Sequence, residues 1–137
     1  MPVFLRTRRH GGIAVPLEIV YTHDVFAFQT YGGISRYLVE VIKRIPPAEA
    51  RAWVFGGLYI NEYMNELPQV AGIKVPVFKN TRYPINIANT LMHYARMALN
   101  DIAQEILVKP KAETVVHLSY YSRFLPKDNV KVVVTVH

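Results

Sequence analysis

The segment DVFAFQTYGGISRYLVEVIKRI, residues 24–45, holds the residue types best placed to do chemistry. Gly32-Gly33 stands directly before a helical pattern, and Ser35 and Arg36 follow at once. Glycine at a helix start lets a ligand approach the backbone closely and permits positive φ. The unpaired N–H groups of the first turn, with the positive end of the helix dipole, suit a phosphate or a carboxylate. Arg36 is one turn in, where it can add a charge-assisted hydrogen bond to such an anion. The spacing is not G-x-G-x-x-G, and the chain has no G-x-x-x-x-G-K-[ST] segment, so a nicotinamide, flavin or phosphate-loop role has no support. On the glycines alone, a turn that holds no ligand is the competing reading.

Further candidates lie elsewhere in the chain. His117 ends a strand-like run beside Ser119, Tyr120 and Tyr121, and His23 and Asp24 precede the glycines. The five histidines show no metal-ligand spacing with carboxylates, so no metal site is expected. Cysteine is absent, which excludes structural disulfides and cysteine-ligated zinc and fits a reducing cytoplasm.

These residues need a scaffold, and the apolar pattern supplies one by alternating short continuous runs with longer helical periods. LEIVY (17–21) reads as the first strand. Ile34, Tyr37, Leu38, Val41, Ile42 and Ile45 then form one helical stripe, stopped by Pro46-Pro47. RAWVFG (51–56) predicts a second strand, NEYMNEL (61–67) a short helix, and IKVPVF (73–78) a third strand that Pro76 assigns to a sheet edge. A long helix follows from Pro84 to about Val108, with Ala88, Leu91, Met92, Ala95, Ala98, Leu99, Ile102 and Ile106 as its buried stripe. TVVHLS (114–119) and VKVVVTV (130–136) complete the strands, the last so β-branched that it predicts cover on both faces. The order β-α-β-α-β-α-β-loop-β calls for a doubly wound, mostly parallel Rossmann-like α/β sheet of about five strands. Ligands of such sheets bind at the carboxyl ends of the strands, where the loop after the first strand opens.

At 137 residues the chain suits one such domain, from residue 17 to 137, behind a basic and poorly ordered extension over residues 1–16. That extension holds Arg6, Arg8 and Arg9 and no acid, which accounts for half of the net charge of +6. The remainder is an ordinary surface rather than a basic stripe, so nucleic-acid binding is not expected. No run approaches the length of a membrane span or a secretory signal. Ending on His137 after so core-like a strand, the chain reads as cut, with exposed apolar surface prone to self-association.

Three segments in register carry a resemblance. FQTYGGISRYLVEVIKRI (28–45), HLSYYSRF (117–124) and VKVVVTVH (130–137) resemble, in kind and order, the first loop and helix, the H-x-x-Y-Y stretch and the V-V-T-V-H-D strand of the group 1 (family 4) retaining glycosyltransferases of GT-B fold. The resemblance covers nearly everything except the basic tail. It implies an enzyme of two Rossmann-like domains facing a cleft, the first holding the acceptor and the second binding a nucleotide-sugar donor. This chain matches the first only, and it lacks the aspartate that the family places after the position of His137. The implied function is therefore the acceptor-side domain of a hexosyltransferase of polysaccharide biosynthesis, inactive without a C-terminal donor domain and using no cofactor in this half. On the same grounds Gly32, Gly33, Ser35 and Arg36 are implied to face donor or acceptor groups, and His117, Tyr120 and Tyr121 the acceptor. His137 is implied as a catalytic cleft histidine, and His23 and Asp24 lie within reach of an acceptor hydroxyl. Relatives often act on lipid-linked acceptors, which points to the cytoplasm at the inner face of the membrane, with Arg96, Lys109 and Lys111 toward anionic lipid. The alternative is a non-catalytic α/β module that binds a sugar, a nucleotide or a protein partner.

Overall fold

A computed structural model describes residues 9–10, 13–14, 16–77, 85–111, 113–123 and 130–135. Strands β1 (Arg9–His10) and β2 (Ile13–Ala14) form a small antiparallel ladder. The main sheet has five parallel strands: β3 (Leu17–Tyr21), β4 (Ala50–Tyr59), β5 (Val70–Lys74), β6 (Thr114–Leu118) and β7 (Lys131–Val134). Their order across the sheet is β5-β4-β3-β6-β7. The chain thus winds outward from β3 in one direction, returns, and winds outward in the other. This is the Rossmann-like, doubly wound topology expected, with its reversal between β3 and β6. The third strand lies at an edge as expected, but it spans Val70–Lys74 rather than 73–78 and stops before Pro76.

Helices α1 (Asp24–Phe28) and α2 (Gly33–Lys43) connect β3 to β4, a 3₁₀ turn (Tyr63–Glu66) precedes β5, and α3 (Ile85–Leu107) precedes β6. Alternate strand residues feed two core layers. Tyr21 and Val54 pack with Leu38, Val39 and Ile42 of α2 and with Phe26 and Met64. Val20 and Phe55 pack with Val108, just beyond α3. The buried face of α2 is Ser35, Leu38, Val39 and Ile42, whereas Tyr37, expected on the core stripe, is half exposed.

Helix α3 reverses the expected packing. Leu91, Leu99, Ile102 and Ile106 are each more than half exposed, and Ala88, Met92, Ala95 and Ala98 are exposed as well. The buried line runs instead through Arg96, Asn100, Gln104 and Val108, spaced four residues apart. Backbone hydrogen bonding accounts for the reversal. The β4–β5 register shifts between Phe55 and Gly57, where Gly57 takes φ 55, and Leu58, still paired with Ile73 of β5, lies beyond the stretch of β4 (Ala50–Val54) that β3 pairs. Asn100 Oδ1 accepts the Leu58 N–H at 2.7 Å and its Nδ2 donates to the Leu58 carbonyl at 2.9 Å. Arg96 Nε donates to the Ala27 carbonyl at 3.1 Å. Buried backbone groups must find partners, and the polar face of α3 supplies them. Arg96 therefore points inward and adds nothing to a basic surface.

Strand β7 lacks the cover on both faces that its β-branched run predicts and shows the exposed apolar surface expected. Val132, Val133 and Val134 are 40–57% exposed on the sheet edge. Among the described residues, no helix is long and apolar enough to cross a membrane.

Candidate functional site

The reversal of strand order brings the ends of β3 and β6 side by side, and hydrogen bonds fasten the two loops that leave them. The Thr22 N–H donates to the His117 carbonyl at 3.0 Å, and the Ser119 N–H donates to Thr22 Oγ1 at 2.9 Å. The Thr22 hydroxyl donates in turn to Ser119 Oγ at 3.3 Å, which also accepts the Val25 N–H at 3.2 Å. Helix α1 is missing from the sequence-based element order. It forms because Val25, Phe26 and Ala27 are all buried, and its carbonyls are taken by other elements. Phe26 O accepts from the N–H groups of Ile60 and Asn61, Ala27 O from Arg96, and Gln29 O from Asn61 Nδ2.

The glycine loop follows. Gly32 has an extended φ of 179°, so it does not use the positive φ open to glycine. A Cβ there would stand 2.0 Å from Gln29 Oε1, so the side chain of Gln29 occupies that space. Gly33 opens α2, and a Cβ on it would meet nothing within 4 Å. Ser35 is fully buried and donates to the Gly32 carbonyl at 3.0 Å, which holds the loop against the helix. Arg36 lies on the surface in an ion-pair network. It pairs with Glu40 at 2.9 Å and with Glu66, and its guanidinium lies 5.1 Å from the centre of the Tyr63 ring. Lys43 joins the same carboxylates. These cations hold the carboxyls of Glu40 and Glu66 below the usual range, Arg44 and Lys43 acting most on Glu40, and Lys43 and Arg36 on Glu66.

His117 sits at the end of β6, its ring 4.7 Å from that of Tyr21 and its Nε2 2.8 Å from Thr135 Oγ1. Beyond it runs a row of aromatic rings. Tyr121 packs on Tyr120 at 4.7 Å, Tyr120 stacks on Phe28 at 6.0 Å, Phe28 meets His93 at 5.5 Å, and His93 meets Tyr94 at 5.4 Å. Phe28, Tyr94 and Tyr121 are 49%, 67% and 88% exposed. Tyr120 and Tyr121 stand out in the sequence, whereas Phe28, His93 and Tyr94 are brought to them by the fold from α1 and α3. His137 lies outside the described residues.

Below the loops is a buried polar cluster. His23 is fully buried, with Nδ1 3.0 Å from Gln104 Oε1, and its Nε2 lies 3.3 Å from Asp101 Oδ1 and 4.0 Å from Asp24 Oδ1. His23, Asp24 and Asp101 together offer one nitrogen and two oxygen donors within 4.8 Å of one another, so they could hold a cation. Asp101 and Gln104 come from α3, which spacing along the chain does not reveal.

A cleft of about 230 Å³ lies at the opposite ends of the strands, between Glu18, Trp53, Lys109 and Thr114. Glu18 is occupied there by bonds from Trp53 Nε1 and the Thr114 hydroxyl, and the cleft is remote from the strand-order reversal. Chemistry is better served at the carboxyl ends, where fixed loops, an open glycine and exposed rings converge.

Fold and site together define an α/β domain of Rossmann-like topology, compatible with a nucleotide- or sugar-binding enzyme domain. No family model, no curated protein and no solved structure matches the chain.

Proposed function

We propose that the chain is the acceptor-side domain of a retaining sugar transferase of GT-B type, receiving a sugar from a nucleotide-sugar held by a companion domain. The observation that carries the reading is the row of rings from Tyr121 through Tyr120 and Phe28 to Tyr94, set at the carboxyl ends of the strands. A sugar ring has an apolar C–H face that packs on aromatic rings, while tyrosine hydroxyls answer its own hydroxyls. Gly33 supports the reading, since the space where its Cβ would stand is open to a ligand and the chain itself makes no use of it. The resemblance of segments 28–45, 117–124 and 130–137 to the family 4 enzymes adds to this. In this reading Tyr120 and Tyr121 hold the acceptor, and Gly32, Gly33 and the first turn of α2 face the anionic part of the donor. Ser35 keeps that loop in shape from beneath, His117 orients the acceptor, and Arg36 reaches an anion only by leaving Glu66.

Saturation-transfer NMR with a panel of oligosaccharides and nucleotide-sugars tests the reading. Transfer to sugar-ring protons is expected. Tyr121→Ala should weaken it roughly tenfold, the loss of about 1.4 kcal/mol of contact. Gly33→Val should block nucleotide-sugars while leaving the melting temperature nearly unchanged, because its side chain enters open space. No transfer to any member of the panel would overturn the reading and favour a module that engages a protein partner.

A further inference from the structure

We propose that His23, Asp24 and Asp101 bind one zinc ion, which ties the loop after β3 to α3 from beneath the candidate site. The inference is independent of sugar transfer and rests on the hydrogen bonding of His23.

Gln104 Oε1 faces both the His23 backbone N–H, at 3.4 Å, and the ring nitrogen Nδ1, at 3.0 Å. A backbone N–H can only donate, so the amide presents its oxygen to His23, and Nδ1 is the nitrogen that carries the proton. This is the tautomer in which Nε2 is free to ligate a metal, with Gln104 fixing the ring from behind. Nε2 is buried and makes no hydrogen bond, and Asp24 Oδ2, on a side chain 4% exposed, is likewise buried and unpartnered. With Nε2 bare, three acceptor-type groups converge with no donor between them. A buried cluster of that kind needs a positive centre.

The separations favour a metal ion over a proton. Two ligands each about 2.1 Å from a common ion lie about 3.4 Å apart at a tetrahedral angle. Nε2 and Asp101 Oδ1 are 3.3 Å apart without a hydrogen bond, and Asp24 Oδ1 needs a shift of roughly half an ångström to join them. The Asp101 side chain is 27% exposed, so it can adjust and admit the ion. Beside it is a cavity of about 20 Å³ bordered by Asp101, Gln104, Glu105 and Arg123, which has room for one water as a fourth ligand. One imidazole with two carboxylates suits zinc better than manganese, and either better than magnesium.

The test uses the 137-residue protein freed of metal with a chelator and titrated with zinc, manganese or magnesium chloride in a calorimeter. One equivalent of zinc should bind and raise the melting temperature, with affinity falling in the order zinc, manganese, magnesium. Asp101→Asn, at the exposed edge of the cluster, should lower zinc affinity at least about tenfold, since even outer-shell substitutions cost that much. It should also remove the gain in melting temperature. In the wild-type protein, zinc should shift the ¹⁵N signal of His23 Nε2 and leave Nδ1 protonated, a readout that does not depend on any variant folding. Three results would each overturn the proposal: no saturable zinc binding, equal affinity in Asp101→Asn, or an Nε2 signal that shows a proton and ignores zinc.

Discussion

The Asn100 side chain holds both backbone groups of Leu58, accepting its N–H at 2.7 Å and donating to its carbonyl at 2.9 Å. A single amide on α3 thereby mimics one residue of a neighbouring strand where β4 runs on past the end of β3. The geometry at Gly57 is shaped to fit, since a Cβ there would stand 2.4 Å from Asn100 Oδ1. Asn100→Ala leaves a donor and an acceptor without partners beneath the helix and should cost about 2–4 kcal/mol. Asn100→Asp keeps the acceptor but sets a buried carboxylate oxygen against the Leu58 carbonyl, and should cost at least as much as Asn100→Ala. Urea denaturation gives both values, and a loss of less than about 0.5 kcal/mol in Asn100→Ala would contradict this role for the amide.

Tyr21 gives an alkaline prediction. Burial, with a smaller contribution from nearby Tyr37, pushes its phenol up to about 12 from the ordinary 10.0. The folded state therefore keeps a proton that the unfolded chain releases. The resulting stability is full below about pH 10 and is lost as the pH rises from there through about 12. Urea midpoints measured across that window should decline in the wild-type protein and flatten in Tyr21→Phe, which keeps the ring. Equal slopes would place the effect elsewhere.

His93, in the middle of the aromatic row, behaves in the opposite sense. Burial first, and the charge of Arg96 second, hold its imidazole below the ordinary 6.5. The Arg96 Nη2 lies 3.3 Å from His93 Nδ1, close enough to oppose a second positive charge. The unfolded chain takes up a proton first as the solution is acidified. Stability is then full above about pH 6.5 and falls as the pH drops below it. A His93→Gln variant should lose this acid sensitivity, as seen in melting temperatures between pH 7 and pH 5.

Where local pattern and tertiary need agree, the sequence can be read closely. LEIVY matches β3 residue for residue, and Pro46-Pro47 follows the end of α2. The buried face of α3 was not legible, because periodicity counts apolar residues and is blind to carbonyls on other elements that need donors. Ala27 and Leu58 are such sites, and they turn Arg96 and Asn100 inward. The candidate site divides the same way. The glycine loop and the Tyr120-Tyr121 pair are contiguous and could be quoted as motifs. Phe28, His93, Asp101 and Gln104 join the site only through the packing of α1 and α3, so no spacing along the chain announces them.

Thr22 and Ser119 are bonded to each other across a sequence separation of 97 residues. During synthesis β3 leaves the ribosome first among the strands of the main sheet, yet its second neighbour, β6, follows only after β4, β5 and the whole of α3. One side of the central strand must wait with its backbone unpaired until β4, β5 and α3 have all been made. The pairing of β3 with β6 is therefore a late one, and it closes around the pair of loops that carries the candidate site.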